Sequence, residues 1–298
     1  MKKGFYFLLT LLVFWGCASQ SENLVVEETG TEEEKAPTEA VAEEISNEPA
    51  SVVLIDVQVP HPLKETRFFR DGSVDTWIEY VYETESAVLL TRSNYNSDGS
   101  LISVYNFENI DGKPVKREEL DGNGRLSGYE TYGYDESGHM IRKSTFNSED
   151  VAQIVSEYTW NSEGDMIKLS VLDGNNGLLS YVEYTFEDGL PVMSTLYGAD
   201  GEKTNYFEKE YNSDRLLVRE TDYSASGNVD GFVDYSYENG FLVMEEHKNR
   251  GGGLVRKYLY ENDEYGNPLK VSLENNKGIT LEMVEKTYFY TTEQIVAE

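Results

Sequence analysis

The sequence predicts an all-β protein: tandem antiparallel hairpins, about eight units of roughly 25 residues, forming an elongated or curved open sheet after a disordered N-terminal tether. Three observations carry that expectation. Phrases of one kind recur, among them "YETYGYDESGHMIRK" from Tyr129, "YVEYTFEDGLPVMS" from Tyr181 and "FVDYSYENGFLVME" from Phe232. Turn residues follow each phrase at regular intervals. Between turns, apolar and polar residues alternate with a period of two, the pattern of a half-buried strand.

The units begin near Trp77, Val104, Tyr129, Val155, Tyr181, Tyr206, Phe232 and Lys257, with a partial one at Met283. Self-similarity of this kind marks a repeat architecture, in which one supersecondary element is stacked on itself. Each unit carries two turns. The first falls at Gly112, Gly138, Gly164, Gly189, Gly240 and Gly266, and "NSDR" at Asn212 replaces it once. The second falls at Gly72, Gly99, Gly124, Gly177, Gly201, Gly227, Gly252 and Gly278, with "NSED" at Asn147 as the exception. Glycine suits these places because tight reversals use backbone angles that other residues reach only at a cost. Register is least secure at "NSED" and at the first turn of the first unit, "ETESA", which lacks Gly.

Strand faces follow from the alternation. In "VDTWIEYVY", Val74, Thr76, Ile78, Tyr80 and Tyr82 share one face, opposite Asp75, Trp77, Glu79 and Val81. Short turns require neighbours to run antiparallel, and about seventeen strands are expected with no helix. A lone hairpin is marginal in water, so each Tyr or Phe is expected to pack on its counterpart in the next strand pair, contributing roughly 0.2–1 kcal/mol per pair.

Preceding the repeats, residues 1–16 read as a secretory signal: Lys2 and Lys3, then an apolar run from Gly4 to Trp15. That run is shorter than the ~20 residues needed to span hydrocarbon. Gly16-Cys17 follows at once and resembles the bacterial lipoprotein processing site, which implies that Cys17 is acylated and becomes the mature N-terminus. Phe14 and Trp15 are bulkier than the usual residues of such a site. Residues 17–50 form an acidic tether, with ten Glu and one Lys after Cys17, whose like charge and low hydrophobicity predict disorder. The repeat domain is expected over 51–290, with a C-terminal tail at 291–298. The implied location is the cell envelope, lipid-anchored, at the outer membrane or cell surface in preference to the inner membrane.

The repeats also look familiar. "YGYDESGHMIRK" and "YENDEYGNPLK" resemble the YD (Rhs-type) repeat of bacterial exported proteins, over about residues 63–290. The resemblance implies an elongated or spirally curved antiparallel sheet. Asp after the aromatic pair is kept in "YGYD" but becomes Asn or Glu elsewhere, as in "TWNSEG" and "TFEDG".

Composition narrows the function. There are 25 basic and 55 acidic residues, a net charge of −30, so nucleic acid is not an expected partner, because binding there rests on Lys and Arg neutralising phosphates. Cys17 is the single cysteine, which excludes an internal disulfide. His61, His139 and His247 lack metal-site spacing, and the oxygen-rich turns at Asp121, Asp173 and Glu261 match no calcium loop, so no metal and no cofactor are expected. No nucleophile elbow, phosphate loop or other catalytic motif appears, and the chain is expected not to be an enzyme. Candidate ligand-facing residues are Trp77, Tyr129, Tyr181, Tyr206 and Phe232, on the face opposite the Tyr-x-Tyr pairs; alternatively that row packs a curled sheet. The expected role is a non-catalytic binding or structural scaffold with a protein or glycan ligand. The alternative is a carbohydrate module using the aromatic row.

Overall fold

The structure is a computed structural model and describes residues 54–296. The predicted signal, Cys17 and the tether lie outside the described residues. Gln58–Thr292 form one compact unit, and the described parts of the termini, 54–57 and 293–296, belong to a second. In the terminal unit Gln294 Nε2 donates to Asp56 Oδ1 at 3.1 Å.

All regular structure among the described residues is β. The first six strands are β1 (Leu54–Phe69), β2 (Val74–Tyr82), β3 (Leu89–Asn96), β4 (Leu101–Ile110), β5 (Lys113–Asp121) and β6 (Leu126–Tyr134). Next come β7 (Met140–Asn147), β8 (Ala152–Trp160), β9 (Met166–Asp173), β10 (Leu178–Glu187), β11 (Leu190–Gly198) and β12 (Lys203–Tyr211). The last are β13 (Leu217–Ser224), β14 (Val229–Glu238), β15 (Phe241–Asn249), β16 (Leu254–Asn262), β17 (Pro268–Asn275) and β18 (Thr280–Val296). Each strand pairs antiparallel with its sequence neighbours, as a meander of tight hairpins requires.

The expected open sheet is overturned. β1 pairs with β18 as well as with β2, so the meander closes into an 18-stranded antiparallel barrel. Across the seam, Gln58 Nε2 donates to Thr292 Oγ1 at 2.9 Å. Lys286 stands 3.7 Å from Glu65, and Arg67 3.5 Å from Glu282. Closure removes both sheet edges, which an open meander would leave with unpaired N–H and C=O groups.

The turns lie where the glycines put them. Gly72, Gly99, Gly124, Gly138 and Gly278 are among those at positive φ. In four turns another residue takes the left-handed angle: Asn176 in place of the expected Gly177, Ala87 in "ETESA", Asp150 in "NSED" and Arg215 in "NSDR". The last differs from the expected use of Asn and Asp there; Asn212 instead accepts from the Asp214 and Leu216 amides, fixing the turn from its first position.

Val155 is the one fully buried apolar residue among the described residues, and nearly every other strand residue is half-exposed. The barrel is therefore a single layer with water at both faces. Eighteen strands at a spacing of ~4.8 Å and tilts of 35–45° make a backbone cylinder about 35–40 Å across, and barrels of this strand number enclose an aqueous lumen.

Two recurrent locks explain the repeated aromatics. The tyrosine near the end of the even strands' repeat phrase donates backwards: Tyr82 to the Pro62 carbonyl, Tyr134 to Pro114, Tyr211 to Pro191, Tyr237 to Leu217, at 2.9 Å each, and Tyr288 to Pro268 at 3.1 Å. Trp160 does the same to Met140, and Asn109 and Asn262 to Leu89 and Leu242. The acceptor always lies 20 residues earlier, and a register shift just before the donor, as at Gly133/Tyr134, marks a bulge there. Eight of the nine even-numbered strands carry this bond; β10, with Phe186, does not. The second lock uses the other aromatic row.

Candidate functional site

The predicted ligand-facing aromatics lie on even strands and point to one face. Trp77 stacks on Tyr95, with centroids 5.3 Å apart; Tyr129 on Phe146, Tyr181 on Tyr197 and Tyr206 on Tyr223 each stack at 4.7 Å. A cation lies over each ring: Lys64 on Trp77, Lys116 on Tyr129, Lys168 on Tyr181, Lys203 on Tyr206 and Arg219 on Phe232, at 4.0–5.2 Å from the centroid. The ring tips reach the next turn: Trp77, Tyr181 and Tyr206 end 3.7–3.9 Å from where a Cβ would stand on Gly99, Gly201 and Gly227, and Tyr129 donates to Asp150. So the ring surfaces of Trp77, Tyr129, Tyr181 and Tyr206 that a sugar would stack on are already occupied by neighbours of this chain, and Phe232 carries Arg219.

Burial tells which face is concave. On the face bearing Tyr80, Tyr132 and Tyr235, Glu130 is 13% exposed, Glu65 22% and Glu245 21%. On the face of the Trp77 row, Glu79, Glu157 and Glu183 are 48%, 45% and 47% exposed, while Asp234 and Glu274 on that face, pinned by Arg219 and Lys257, are 22% and 16%. Side chains converge inside a cylinder and splay outside it, so the Tyr80 face lines the lumen. The tyrosine hydroxyls agree. Desolvation raises those of Tyr80, Tyr132, Tyr235, Tyr260 and Tyr288 well above the ordinary value, with nearby carboxylates adding to the effect.

The outer face carries a girdle of ion pairs at mid-strand height. Lys168 meets Glu183 at 3.1 Å, Arg219 meets Asp234 at 2.6 Å, Lys257 meets Glu274 at 3.0 Å and Arg142 meets Glu157. The inner face is charged as well: Glu130 takes the Tyr132 hydroxyl at 2.6 Å, Arg117 at 3.1 Å and Lys143 at 3.7 Å. Tyr105 lies between two guanidiniums, Arg92 at 5.4 Å and Arg117 at 4.8 Å from its centroid. A strand of nine or ten residues is long enough to cross a bilayer when tilted. Each cation at the midplane would cost about 2–4 kcal/mol.

The three histidines are brought into ring contacts. His61 stacks on Phe289 at 4.7 Å and bonds Thr291; His139 stacks on Trp160 and faces Asp135; His247 lies 3.5 Å from Glu245. No group of three metal-ligating side chains occurs among the described residues.

One concavity on the lumen wall was not foreseen. A recess of about 250 Å³ opens at Gly128, lined by Arg117, Glu119, Glu130 and Thr145 and floored by backbone of β6 and β7. The signal available in the sequence was the Gly itself, standing where other units carry Thr76, Ser180 or Asn205, with Gly231 of β14 its one counterpart among the described even strands.

Among solved structures, a porin-like protein from Bacteroides uniformis is similar over 76% of this chain and 97% of its own, at 11% identity and a TM-score of 0.42. A porin-like protein from Bacteroides vulgatus matches over 78% of this chain and 99% of its own, at 11% identity and a TM-score of 0.32. The TcdB2-TccC3-Cdc42 structure matches over 71% of this chain but 15% of its own, at 12% identity and a TM-score of 0.27. No family model and no curated protein matches the chain.

Proposed function

We propose that this chain is an envelope lipoprotein that holds a water-filled β-barrel clear of the membrane on an acidic tether, where the barrel serves as a non-catalytic binding or structural scaffold. The observation that carries the reading is the charge at mid-strand on both faces. A cylinder whose outer wall is a girdle of Lys–Glu and Arg–Asp pairs belongs in water, so membrane attachment falls to the N-terminal signal and Cys17. The YD-type kinship and the lipid anchor are part of the same proposal. The scaffold role is supported by commitment of the side chains. The outer aromatics hold turns and cations of their own wall, and most charged groups on it are spent on one another. By the same token, the outer aromatic row favours the wall over a glycan.

The test is partition. Wild type labelled with palmitate should enter the detergent phase on cloud-point separation. Cys17→Ser should lose the label, stay in the aqueous phase, and give no conductance in planar bilayers. A Cys17→Ser protein that still inserts or conducts would place the barrel in the lipid and end the proposal.

A further inference from the structure

We infer that the Gly128 recess is a binding site for a neutral, hydroxyl-rich ligand, a saccharide unit, presented to the barrel lumen. This goes beyond the anchored-scaffold reading, and its test does not depend on the anchor.

The recess exists because β6 has no side chain at Gly128, its third residue, near the turn end of the strand. Gly128 pairs Glu119 on β5 and Asn147 on β7, and a Cβ built there would meet the Phe146 carbonyl oxygen at 2.5 Å. The wall therefore excludes a side chain at this point and keeps the space open. Its volume of about 250 Å³ suits one sugar ring better than an extended chain.

The lining separates into committed and uncommitted groups. Glu130 is saturated by Tyr132, Arg117 and Lys143. Arg117 is held between Glu130 and the Tyr105 ring. Glu119 makes no ion pair or hydrogen bond through its carboxylate among the described residues, and the Thr145 hydroxyl is equally unspent. A free carboxylate accepts from two adjacent hydroxyls, and a threonine hydroxyl both donates and accepts. Those are the complements of a polyol.

Charge decides against the competitors. The charged lining is Arg117 against Glu119 and Glu130, with Lys143 beside Glu130 but outside the lining, so an anion gains nothing from the local field. A small zwitterion would need a free guanidinium for its carboxylate, and Arg117 is already spent. A hydroxyl-rich neutral ligand asks only for the groups that are free.

Saturation-transfer NMR on the full-length protein in detergent, with glucose, N-acetylglucosamine and their β-1,4 and α-1,4 oligomers as probes, tests this. At least one saccharide should show transfer, with its affinity falling about tenfold or more in Glu119→Gln, severalfold in Thr145→Val, and unchanged in Glu118→Gln, which alters the other face of the same strand. No transfer from any saccharide, binding indifferent to both Glu119→Gln and Thr145→Val, or transfer confined to an amine such as putrescine run alongside would overturn the assignment.

Discussion

Phe186 is the one even-strand position that lacks the backward hydrogen bond, and it offers a gain-of-stability experiment. In the other hairpins a donor reaches the carbonyl 20 residues earlier, as Tyr134 does to Pro114. Phe186→Tyr would place a hydroxyl at the same point of β10, facing the Met166 carbonyl at the start of β9. A half-exposed hydrogen bond of this kind contributes about 0.5–1.5 kcal/mol net, since water is displaced from both partners. The expected gain is about 1 kcal/mol, or 2–4 °C in midpoint for a domain of this size. The reciprocal change, Tyr134→Phe, should lose about the same, because the rim carbonyl it abandons can be rehydrated. Removing Tyr82, Tyr134, Tyr211, Tyr237 and Tyr288 hydroxyls together should cost about 5 kcal/mol, as the five locks share no partner. That sum equals the whole net stability of many domains. Urea unfolding followed by circular dichroism is the assay, with the slope expected to stay constant while the midpoint moves. A neutral Phe186→Tyr together with a neutral Tyr134→Phe would show that these bonds merely replace water, and the account of the Tyr-x-Tyr pair would fail.

Other consequences follow from closure and burial. Deleting β18, residues 280–298, should expose two long strand edges and turn a monodisperse protein into an aggregating one; a monomer of unchanged protease resistance would mean that closure contributes little. Burial first, then the Glu65 charge, pushes the Tyr82 hydroxyl up to about 12; burial, then the bond to Asp263, pushes Tyr290 up to about 12. Since the folded values lie above the ordinary value near 10, the neutral hydroxyls stabilise the barrel below about pH 10, and that contribution is lost as pH rises through 12. Absorbance titration at 295 nm should therefore show a late wave coincident with unfolding, and a single wave centred near pH 10 in the folded protein would contradict it. Glu130→Gln should destabilise by about 1–3 kcal/mol, because Arg117 and Lys143 lose the carboxylate that compensates them; a change within experimental error would mean that water serves as well.

How far the sequence reaches is instructive at particular residues. The Gly series and the two-residue alternation locate every hairpin, even where Ala87, Asp150, Asn176 and Arg215 take the left-handed angle instead of Gly. They do so because turn geometry and strand alternation are local, written within a few residues. Closure is not local. An open meander and a barrel share every neighbour pairing from β1–β2 to β17–β18 and differ only where β18 meets β1, some 230 residues away, at contacts such as Gln58–Thr292. No period records that. The assignment of faces suffered likewise: alternation separates Tyr80 from Trp77 but cannot tell lumen from exterior until curvature is known. The 20-residue spacing from each late Tyr to the start of the preceding strand was legible, since it needs only the turn positions and a hydrogen-bond donor.

Closure also accounts for how a single layer stands without a core. An ordinary domain buries apolar side chains between two layers, and this one buries almost none. What remains is the ladder itself, the ring stacks, the ion girdle and the backward locks, each weak and each repeated in most units. Such terms sum only if every unit has two neighbours. In an open array the terminal units lack one partner each and fray, whereas in a ring every hairpin is interior. The same geometry makes the charge pattern coherent: a wall wetted on both sides has no face to hide, so Lys, Glu and Tyr can occupy inner and outer positions alike. Apolar substitution along the outer girdle, for example Lys168→Leu with Glu183→Leu, should accordingly cost little folding stability yet raise self-association at high concentration. A barrel that instead gained stability and remained monodisperse would show that the girdle serves some purpose other than keeping the outer wall hydrated.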